Sequence, residues 1–291
     1  MLQPCCGQLC QGRADGLAAT TSGCADQQHR CVDPAAAQRT RAVRCPGFLS
    51  PDEIRDVHAA ARELRPTAAK KLGSIQPQGP FAWQTLFLQS AQSFDVRLAW
   101  LAARLRDLAT AVSRRESWGI IEGFKPAEVN LRVVEYHEYT AGGKLLDPEH
   151  CDHGSLVTID VMLSDHAAFT GGELCVTEGG DGSAGDMVPQ RFEQGDALVF
   201  VSHKRHCVQA VESGRRCVLV AEFWNGLARH CPCRCETNWG SPCPCTAEAL
   251  AGEAKEDAFW EQMGAVMDVA SLADAIAHIE DEEDEAAETG D

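Results

Sequence analysis

Six short apolar segments between residues 128 and 224 constrain the fold of this chain more than any other feature of its sequence. They read EVNLRVVEYHEY, SLVTIDVML, GELCVTE, GDALVFV, HCVQAV and RCVLVAEFW, and glycine-rich or aspartate-rich turns separate them. Short strands at this spacing are typical of an antiparallel sandwich or barrel and argue against β-α-β units. Several segments are apolar on both faces, and in the second even the face that holds Thr158, Asp160 and Met162 is only partly polar. The sheet is therefore expected to be covered on its outer face.

Two amphipathic helices upstream are the expected cover for that sheet. Ser50 and Glu53 form a capping box around Pro51, which is at the first helical position. Pro66 is expected to end this helix. A second helix is predicted from about residue 94 to 115, because leucines recur there at spacings of three and four. The predicted fold class is mainly β with flanking α: a double-stranded β-helix, that is, a jelly-roll, cupin-like barrel, covered by N-terminal helices.

The chain is predicted to divide into six parts. They are a poorly ordered, cysteine-rich extension (1–44), N-terminal helical support (45–127), the jelly-roll core (128–228), a cysteine-rich segment (229–245), a C-terminal helix (246–279) and an acidic, disordered tail (280–291). Residues 67–92 are expected to be loop apart from a short strand from Trp83 to Leu88. The glycine-rich segment GGDGSAGDMVP is expected to form a mobile loop.

The formal net charge of −17 is concentrated at the C-terminal end of the chain. Residues 246–291 hold 15 of the 43 acidic residues against a single Lys255, so the remainder is close to neutral. No positive surplus is left to hold a phosphate backbone, and nucleic-acid binding is not expected. The final run of eight acids is predicted to be a solvated tail, with an interaction tail as the alternative.

The sequence contains no run near 18 apolar residues, and its start lacks the basic and apolar regions of a signal peptide. We therefore expect no membrane contact and a cytoplasmic location. The 15 cysteines are odd in number and clustered, which argues against a secreted disulfide scaffold and favours reduced thiols. Five of them follow the strands closely: Cys231, Cys233, Cys235, Cys243 and Cys245. They could hold a structural zinc, although their spacing is not the usual one and free thiols are the alternative.

The segment PEHCDHG carries the first candidate metal ligands. His150 and Asp152 are two residues apart where a strand is expected to begin, and in an extended chain such side chains project to the same side. Alone, this pair is weak evidence. His206 opens a strand 54 residues beyond Asp152, a separation that an antiparallel barrel can close, and His203 is the competing candidate. Two imidazoles and one carboxylate with open positions form the facial triad of non-haem iron(II) oxygenases.

Arg216 follows His206 by ten residues, just past a hairpin turn predicted at Ser213-Gly214. Both faces of its strand are apolar, so the guanidinium is expected to point into a region that excludes water. A buried guanidinium needs a carboxylate partner, which its two-pronged geometry suits. Arg215 should lie on the opposite face. The alternative is that both arginines reach solvent at the end of the strand.

From about residue 83 to 224 the chain resembles the prolyl 4-hydroxylase-like branch of the iron(II)/2-oxoglutarate dioxygenases. The matching pieces are EYTAGGKLLDPEHCD, TIDVMLSDHAAFTGGEL, GDALVFVS and the spacing from His206 to Arg216. The resemblance implies an oxidoreductase that consumes O2 and 2-oxoglutarate, hydroxylates a C–H bond of its substrate, and releases succinate and CO2. It also implies ascorbate, which the related enzymes commonly need to keep the iron ferrous.

The resemblance further implies roles for individual residues. The Fe(II) ligands would be His150, Asp152 and His206. Arg216 would bind the distal carboxylate of 2-oxoglutarate, helped by a tyrosine. Tyr139 fits this role better than Tyr136, because Tyr139 lies nearer to the first ligand and just before a Gly-Gly pair. The substrate stays open: a prolyl peptide, another side chain, a free amino acid or a small molecule would each use the same iron core.

Two functions from other classes compete with the enzyme. The first is a catalytically silent, cupin-like jelly-roll binding protein, which the loss of any of the iron ligands or of Arg216 would favour; all four residues are present. The second is a thiol-rich metal-handling protein, which the cysteine clusters alone suggest. It does not explain the strand pattern.

Overall fold

The computed structural model describes residues 32–65, 70–75, 81–147, 149–178, 185–231 and 234. Its helices are α1 (Pro34–Arg39), α2 (Pro51–Leu64), α3 (Ser93–Arg97) and α4 (Ala99–Arg115). Its strands are β1 (Val43–Cys45), β2 (Lys70–Ile75), β3 (Phe81–Phe87), β4 (Asn130–Thr140), β5 (Val157–Met162), β6 (Phe169–Gly171), β7 (Leu174–Glu178), β8 (Asp186–Gln190), β9 (Ala197–Val201), β10 (His206–Val208) and β11 (Val211–Trp224). Short 3-10 helices lie at Ser90–Gln92, Pro126–Glu128 and His166–Ala168.

Most of the strands belong to the larger of two antiparallel sheets. Its order is β1-β9-β5-β11-β4-β3-β2, and β6 pairs with the N-terminal part of β11. In the register, Arg216 of β11 lies opposite Tyr139 of β4, and Val220 lies between Glu135 of β4 and Asp160 of β5. Because side chains alternate along a strand, these five residues share one face of the sheet. The smaller sheet has the order β10-β7-β8.

Helices α2 and α4 cover the outer face of the larger sheet. The predicted capping box is present: the Ser50 hydroxyl accepts a hydrogen bond from the Glu53 N–H at 3.3 Å, and the Glu53 carboxylate accepts one from the Ser50 N–H at 2.8 Å. Leu101 and Leu105 of α4 are completely buried in the core beneath the helices. Burying a leucine side chain contributes roughly 1.5–3 kcal/mol, so this layer stabilises the sheet from outside.

The inner face of the larger sheet packs against the smaller sheet around a second core. This core joins Met162, Leu198 and Val218 of the larger sheet to Leu174 and Val208 of the smaller sheet. The two sheets therefore enclose a jelly-roll barrel with helices on its outer side. The predicted fold class is confirmed for the described residues.

Three boundaries at the N-terminal side differ from the prediction. The extension is not poorly ordered up to residue 44, because Asp33 caps α1 and Val43–Cys45 pairs with β9 in the larger sheet. Residues 67–92 hold a second strand, Lys70–Ile75, in addition to the predicted one. The second helix is divided in two, since Leu98 leaves the helical conformation between α3 and α4.

The hairpin turn predicted at Ser213-Gly214 is wrong. Both residues lie within β11, where they pair with Thr170 and Phe169 of β6. Gly214 has φ +77°, and a Cβ atom there would lie 2.0 Å from the Ala168 carbonyl oxygen. Only glycine allows β6 to approach so closely. The glycine therefore serves strand contact and not chain reversal.

The glycine-rich segment is likewise not a loop along its whole length, because Asp186–Pro189 belongs to β8 and pairs with β7. Several predictions fall outside the described residues: those for positions 1–31, for the zinc site among the cysteines beyond Cys231, for the helix at 246–279 and for the acidic tail at 280–291. In the described part of the chain, no cysteine forms a disulfide. No helix of that part has the length and apolar character required to cross a membrane.

Candidate active site

A loop between β4 and β5 carries His150 and Asp152. The predicted strand start at His150 is wrong, because β5 begins only at Val157. Two backbone hydrogen bonds fasten the loop to the barrel: the His206 N–H donates to the His150 carbonyl at 3.0 Å, and the Asp152 N–H donates to the Ser202 carbonyl at 2.8 Å. These bonds, and not the alternation of a strand, direct both side chains toward His206.

The three predicted metal ligands meet at one point of the barrel. One nitrogen or oxygen atom from each of them lies within 4.8 Å of the others. His150 Nε2 is 3.6 Å from Asp152 Oδ1, and His206 Nε2 is 3.8 Å from Asp152 Oδ2. Two imidazoles and one carboxylate that face a common point suit iron(II) and leave positions open for other ligands. The residues present therefore fit such an ion.

Neighbouring groups orient these side chains. The Nδ1–H of His206 donates to the Lys204 carbonyl at 3.0 Å, which leaves Nε2 as the electron-pair donor on the side of Asp152. The Thr158 hydroxyl donates to Asp152 Oδ2 at 2.7 Å. Burial lowers the pKa of His206, an effect that the neighbouring Asp152 opposes. Burial opposes the ionisation of Asp152, but His206 and Arg234 outweigh it and lower the pKa of Asp152 well below its usual value.

His203, the competing candidate, does not join this group. Its ring packs against the ring of His153, with 5.6 Å between the centroids. His203 is also absent from the set of side chains in the described residues that could share a metal ion. The structure thus brings together His206, and not His203, with the other two ligands.

Arg216 is buried on the inner face of β11, with 1% of its surface exposed. Within the described part of the chain, its Nε and Nη2 atoms have no hydrogen-bond partner. Burial lowers the pKa of Arg216, an effect that Tyr139 and Asp160 oppose. The side chain of Arg215, by contrast, is 63% exposed. The alternative in which both arginines reach solvent is therefore wrong, and Arg216 directs unused donors into the barrel.

The two tyrosines lie on opposite faces of β4. Tyr139 lines the same cavity as Arg216, whose Cζ atom is 5.6 Å from the centre of the Tyr139 ring. Tyr136 faces the helices, where its hydroxyl is 2.8 Å from His58 Nδ1. Burial raises the pKa of both phenols, so both keep their protons. Only Tyr139 can therefore donate a hydrogen bond to a ligand beside Arg216.

Three further carboxylates on the inner face were not among the predicted site residues. Glu135, Asp160 and Glu222 are all buried. Burial, reinforced by neighbouring carboxylates, raises the pKa of Asp160 and that of Glu222 to about 7. Burial acts in the same direction on Glu135, but Arg234 and a hydrogen bond with His137 outweigh it and lower the pKa of Glu135 to about 2.

Arg234 was also missed. Its Nη1 atom is 2.9 Å from Asp152 Oδ1, its Nε atom is 3.6 Å from Glu135 Oε1, and its Nη2 atom contacts Glu222 Oε1. Burial would lower the pKa of Arg234, but the surrounding carboxylates raise it well above its ordinary value. One cation from the cysteine-rich segment thus contacts three carboxylates of the barrel, one of them a candidate metal ligand.

Some of the missed residues left a signal in the sequence. Glu135, His137 and Tyr139 alternate along β4, so the choice of Tyr139 already placed the other two on the same face. Asp160 is a charged residue in an otherwise largely apolar strand. Burial of such a charge costs free energy unless a partner binds it. Arg234 left no such signal, because it follows no period and lies outside every strand.

A cavity that opens to solvent is lined by His150, Asp152, His206, Arg216 and Arg234. Its apolar lining consists of Leu145, Leu174, Val208, Val218 and Val220. The fold and the site together define a class of protein: a jelly-roll barrel with a cavity that is lined by three side chains able to share a metal ion and by a buried cation with unused donors.

No protein-family model and no curated protein matches the chain. Solved structures that align with this chain include the non-haem α-ketoglutarate-dependent epimerase SnoN from nogalamycin biosynthesis, at a TM-score of 0.49 and 19% identity over 65% of this chain and 80% of that one. A Pseudomonas putida prolyl-4-hydroxylase aligns at a TM-score of 0.43 and 19% identity over 66% of this chain and 98% of that one. A Trichoplax adhaerens prolyl hydroxylase, solved with a hypoxia-inducible-factor peptide, aligns at a TM-score of 0.45 and 13% identity over 63% of this chain and 83% of that one. At these values, the case for the site rests on its own side chains.

Proposed function

We propose that this protein is an iron(II)- and 2-oxoglutarate-dependent dioxygenase, similar to the prolyl 4-hydroxylases, that hydroxylates a C–H bond of its substrate. The position of Arg216 carries the proposal. Its buried, unused donors face the cavity that His150, Asp152 and His206 also line. The ligand group alone would suit many metalloproteins, but a buried guanidinium with unused donors beside it favours an anion that binds at the same time.

In this proposal each residue has a defined role. The side chains that hold Fe(II) are His150, Asp152 and His206. Arg216 pairs with the distal carboxylate of 2-oxoglutarate, and Tyr139 donates a hydrogen bond to it because its phenol stays protonated. The apolar lining of the cavity excludes water along the carbon chain of the cosubstrate. Iron bound at this site would supply the activation of dioxygen.

The proposed reaction balances in atoms and electrons. One oxygen atom of O2 enters the substrate, where a C–H bond becomes C–OH. The other enters succinate, as 2-oxoglutarate loses its first carboxylate as CO2. The four electrons that reduce O2 come in equal parts from the substrate and from 2-oxoglutarate. We include ascorbate in the proposal as the reductant that returns the iron to the ferrous state.

Turnover of 2-oxoglutarate tests this function. Purified protein supplied with Fe(II), 2-oxoglutarate, O2 and ascorbate is expected to release succinate when pools of peptides and small molecules are added. The matched control combines His150→Ala, Asp152→Ala and His206→Ala, and it is expected to release none. If the wild type binds no iron and releases no more succinate than this control, the silent jelly-roll binding protein becomes the better account.

A further inference from the structure

The inner face of the larger sheet carries more carboxylates than iron and 2-oxoglutarate require. Glu135, Asp160 and Glu222 lie on the inner faces of the neighbouring strands β4, β5 and β11, and each is more than nine-tenths buried. None of them belongs to the metal-ligand group. Buried like charges disfavour one another, and they would also disfavour the dianionic cosubstrate. A cation bound among these carboxylates offsets both effects, as Arg234 does beside Glu135 and Glu222 and Arg132 does at 3.3 Å from Glu222.

Asp160 interacts with the charge of Arg216 without direct contact. It is 6% exposed and lines the cavity, and no described residue forms a hydrogen bond or ion pair with it. A buried ionised carboxylate is costly unless a partner accompanies it. The side chain is therefore suited to a donor that arrives with a ligand.

Arg234 shows which kind of group this part of the cavity accepts. Its guanidinium contacts Glu222 through Nη2, Asp152 at 2.9 Å through Nη1 and Glu135 at 3.6 Å through Nε. A planar group with five donors can address several carboxylates at once, which the compact ammonium of lysine cannot do in the same geometry. The Arg234 side chain keeps 26% of its surface exposed, so the position it occupies is accessible from solvent. An arginine of another molecule would enter this position from solvent.

We propose that the substrate carries a guanidinium group, as an arginine side chain does, and that Arg234 occupies the position of this group until the substrate displaces it. The proposal rests on the proposed function, because only a reaction at the iron site makes the bound molecule a substrate. Glu135 and Glu222 bind the guanidinium. Since Asp152 contacts the same group and is also a metal ligand, the adjoining carbon chain lies beside the iron. One of its C–H bonds becomes C–OH, with the balance of O2, 2-oxoglutarate, succinate and CO2 given above.

Calorimetric titration of N-acetyl-L-arginine amide into anaerobic protein loaded with Fe(II) and 2-oxoglutarate tests the proposal. If Arg234 fills the position more than about nine-tenths of the time, its removal raises the competent fraction at least about tenfold. The amide is therefore expected to bind Arg234→Ala about tenfold or more tightly than the wild type. N-acetyl-L-citrulline amide, which has a similar shape and no charge, is expected to bind neither protein.

Substitutions of the carboxylates provide the matched controls. In the Arg234→Ala background, Glu135→Gln and Glu222→Gln are each expected to remove most of the gain. Glu149→Gln should leave the gain intact, since Glu149 is exposed and pairs with Arg205 outside the cavity. Equal affinity of the arginine probe for Arg234→Ala and wild type, or equal binding of the citrulline probe, would overturn the proposal.

The affinities for iron and 2-oxoglutarate, measured on the same samples, separate this proposal from the proposed function. If iron and 2-oxoglutarate both bind but Arg234→Ala binds the arginine probe no more tightly than the wild type, only the proposed substrate class is overturned. Failure of the wild type to bind either one overturns the function. If Arg234→Ala does not fold, Arg234→Lys takes its place, because it keeps the charge but loses the fork. Arg234→Lys is then expected to bind the arginine probe more tightly than the wild type, by less than Arg234→Ala would. If its affinity for the probe equals that of the wild type, the proposal is overturned.

Discussion

Arg216→Met is expected to weaken the binding of 2-oxoglutarate roughly 10²- to 10³-fold. The substitution leaves the distal carboxylate of the cosubstrate in an apolar part of the cavity without its cation. Removing one side of a buried ion pair costs about 3–5 kcal/mol, which corresponds to that loss of affinity. Titration of 2-oxoglutarate into the anaerobic, iron-loaded protein measures the effect. The affinity for iron itself should change little, because the guanidinium is not a ligand.

Two neighbouring substitutions make this result specific. The affinity of Arg216→Lys for 2-oxoglutarate is expected to lie between those of Arg216→Met and the wild type, since lysine keeps the charge but not the two-pronged geometry. Arg215→Met should be nearly silent, because the Arg215 side chain is 63% exposed and faces away from the cavity. An unchanged affinity in Arg216→Met, or an equal loss in Arg215→Met, would contradict the role given to Arg216.

Asp152→Ala is expected to weaken iron binding more than 100-fold and to abolish succinate release. Loss of a residue that merely orients a ligand typically costs about 10- to 100-fold in metal affinity, and loss of the ligand itself should exceed this. Arg234 keeps Glu135 and Glu222 as partners in this variant, so its charge stays paired. Anaerobic equilibrium dialysis against Fe(II) measures the affinity, and a thermal unfolding curve of the metal-free protein checks that it folds.

The matched control for this substitution is Asp147→Asn, which removes an exposed negative charge from the same loop and keeps a side-chain oxygen that can accept the hydrogen bond of the Glu149 N–H. It is expected to leave iron affinity unchanged. Asp152→Asn refines the result, because the amide oxygen can still accept the hydrogen bond of Thr158 while the negative charge is gone. Iron affinity equal to that of the wild type in Asp152→Ala would remove Asp152 from the metal centre.

The layers of the fold could be predicted because each one leaves a periodic pattern. Strand β5 is apolar on its outer face and carries Thr158, Asp160 and Met162 inward, and the two helices bury one stripe each. Where the pattern is weak, the prediction failed. Lys70–Ile75 reads KKLGSI and forms β2, which among the described strands pairs with β3 alone and so lies at the edge of the sheet. A strand at the edge of a sheet needs less apolar surface than a central strand does.

Gly214 shows a different limit of prediction from the sequence. Turn chemistry and close strand contact both favour glycine, and a single sequence does not say which one applies. The distinction depends on Ala168, a residue 46 positions away whose carbonyl oxygen occupies the space of a side chain. Contacts of this range are set by the tertiary fold, so the continuous strand β11 was read as two strands joined by a turn.

The residues of the candidate site also differ in whether the sequence could predict them. His150, Asp152, His206 and Arg216 lie in segments whose spacing a jelly roll can close, and the alternation of β11 correctly turned Arg216 inward. Arg234 belongs to a segment noted only for its cysteines, and its position depends on pairing with carboxylates from separate strands and a loop. No local pattern encodes such a pairing.

The most direct test of the account is whether iron and 2-oxoglutarate strengthen each other's binding. The central claim places both in one cavity, with three side chains on the metal and Arg216 on the far carboxylate. Anaerobic Fe(II) titration of the wild type, with and without saturating 2-oxoglutarate, measures this coupling, which must be the same in both directions. We expect 2-oxoglutarate to raise the iron affinity by between about 5- and 150-fold, the usual range for coupled sites. Equal iron affinity in its presence and absence would contradict the claim.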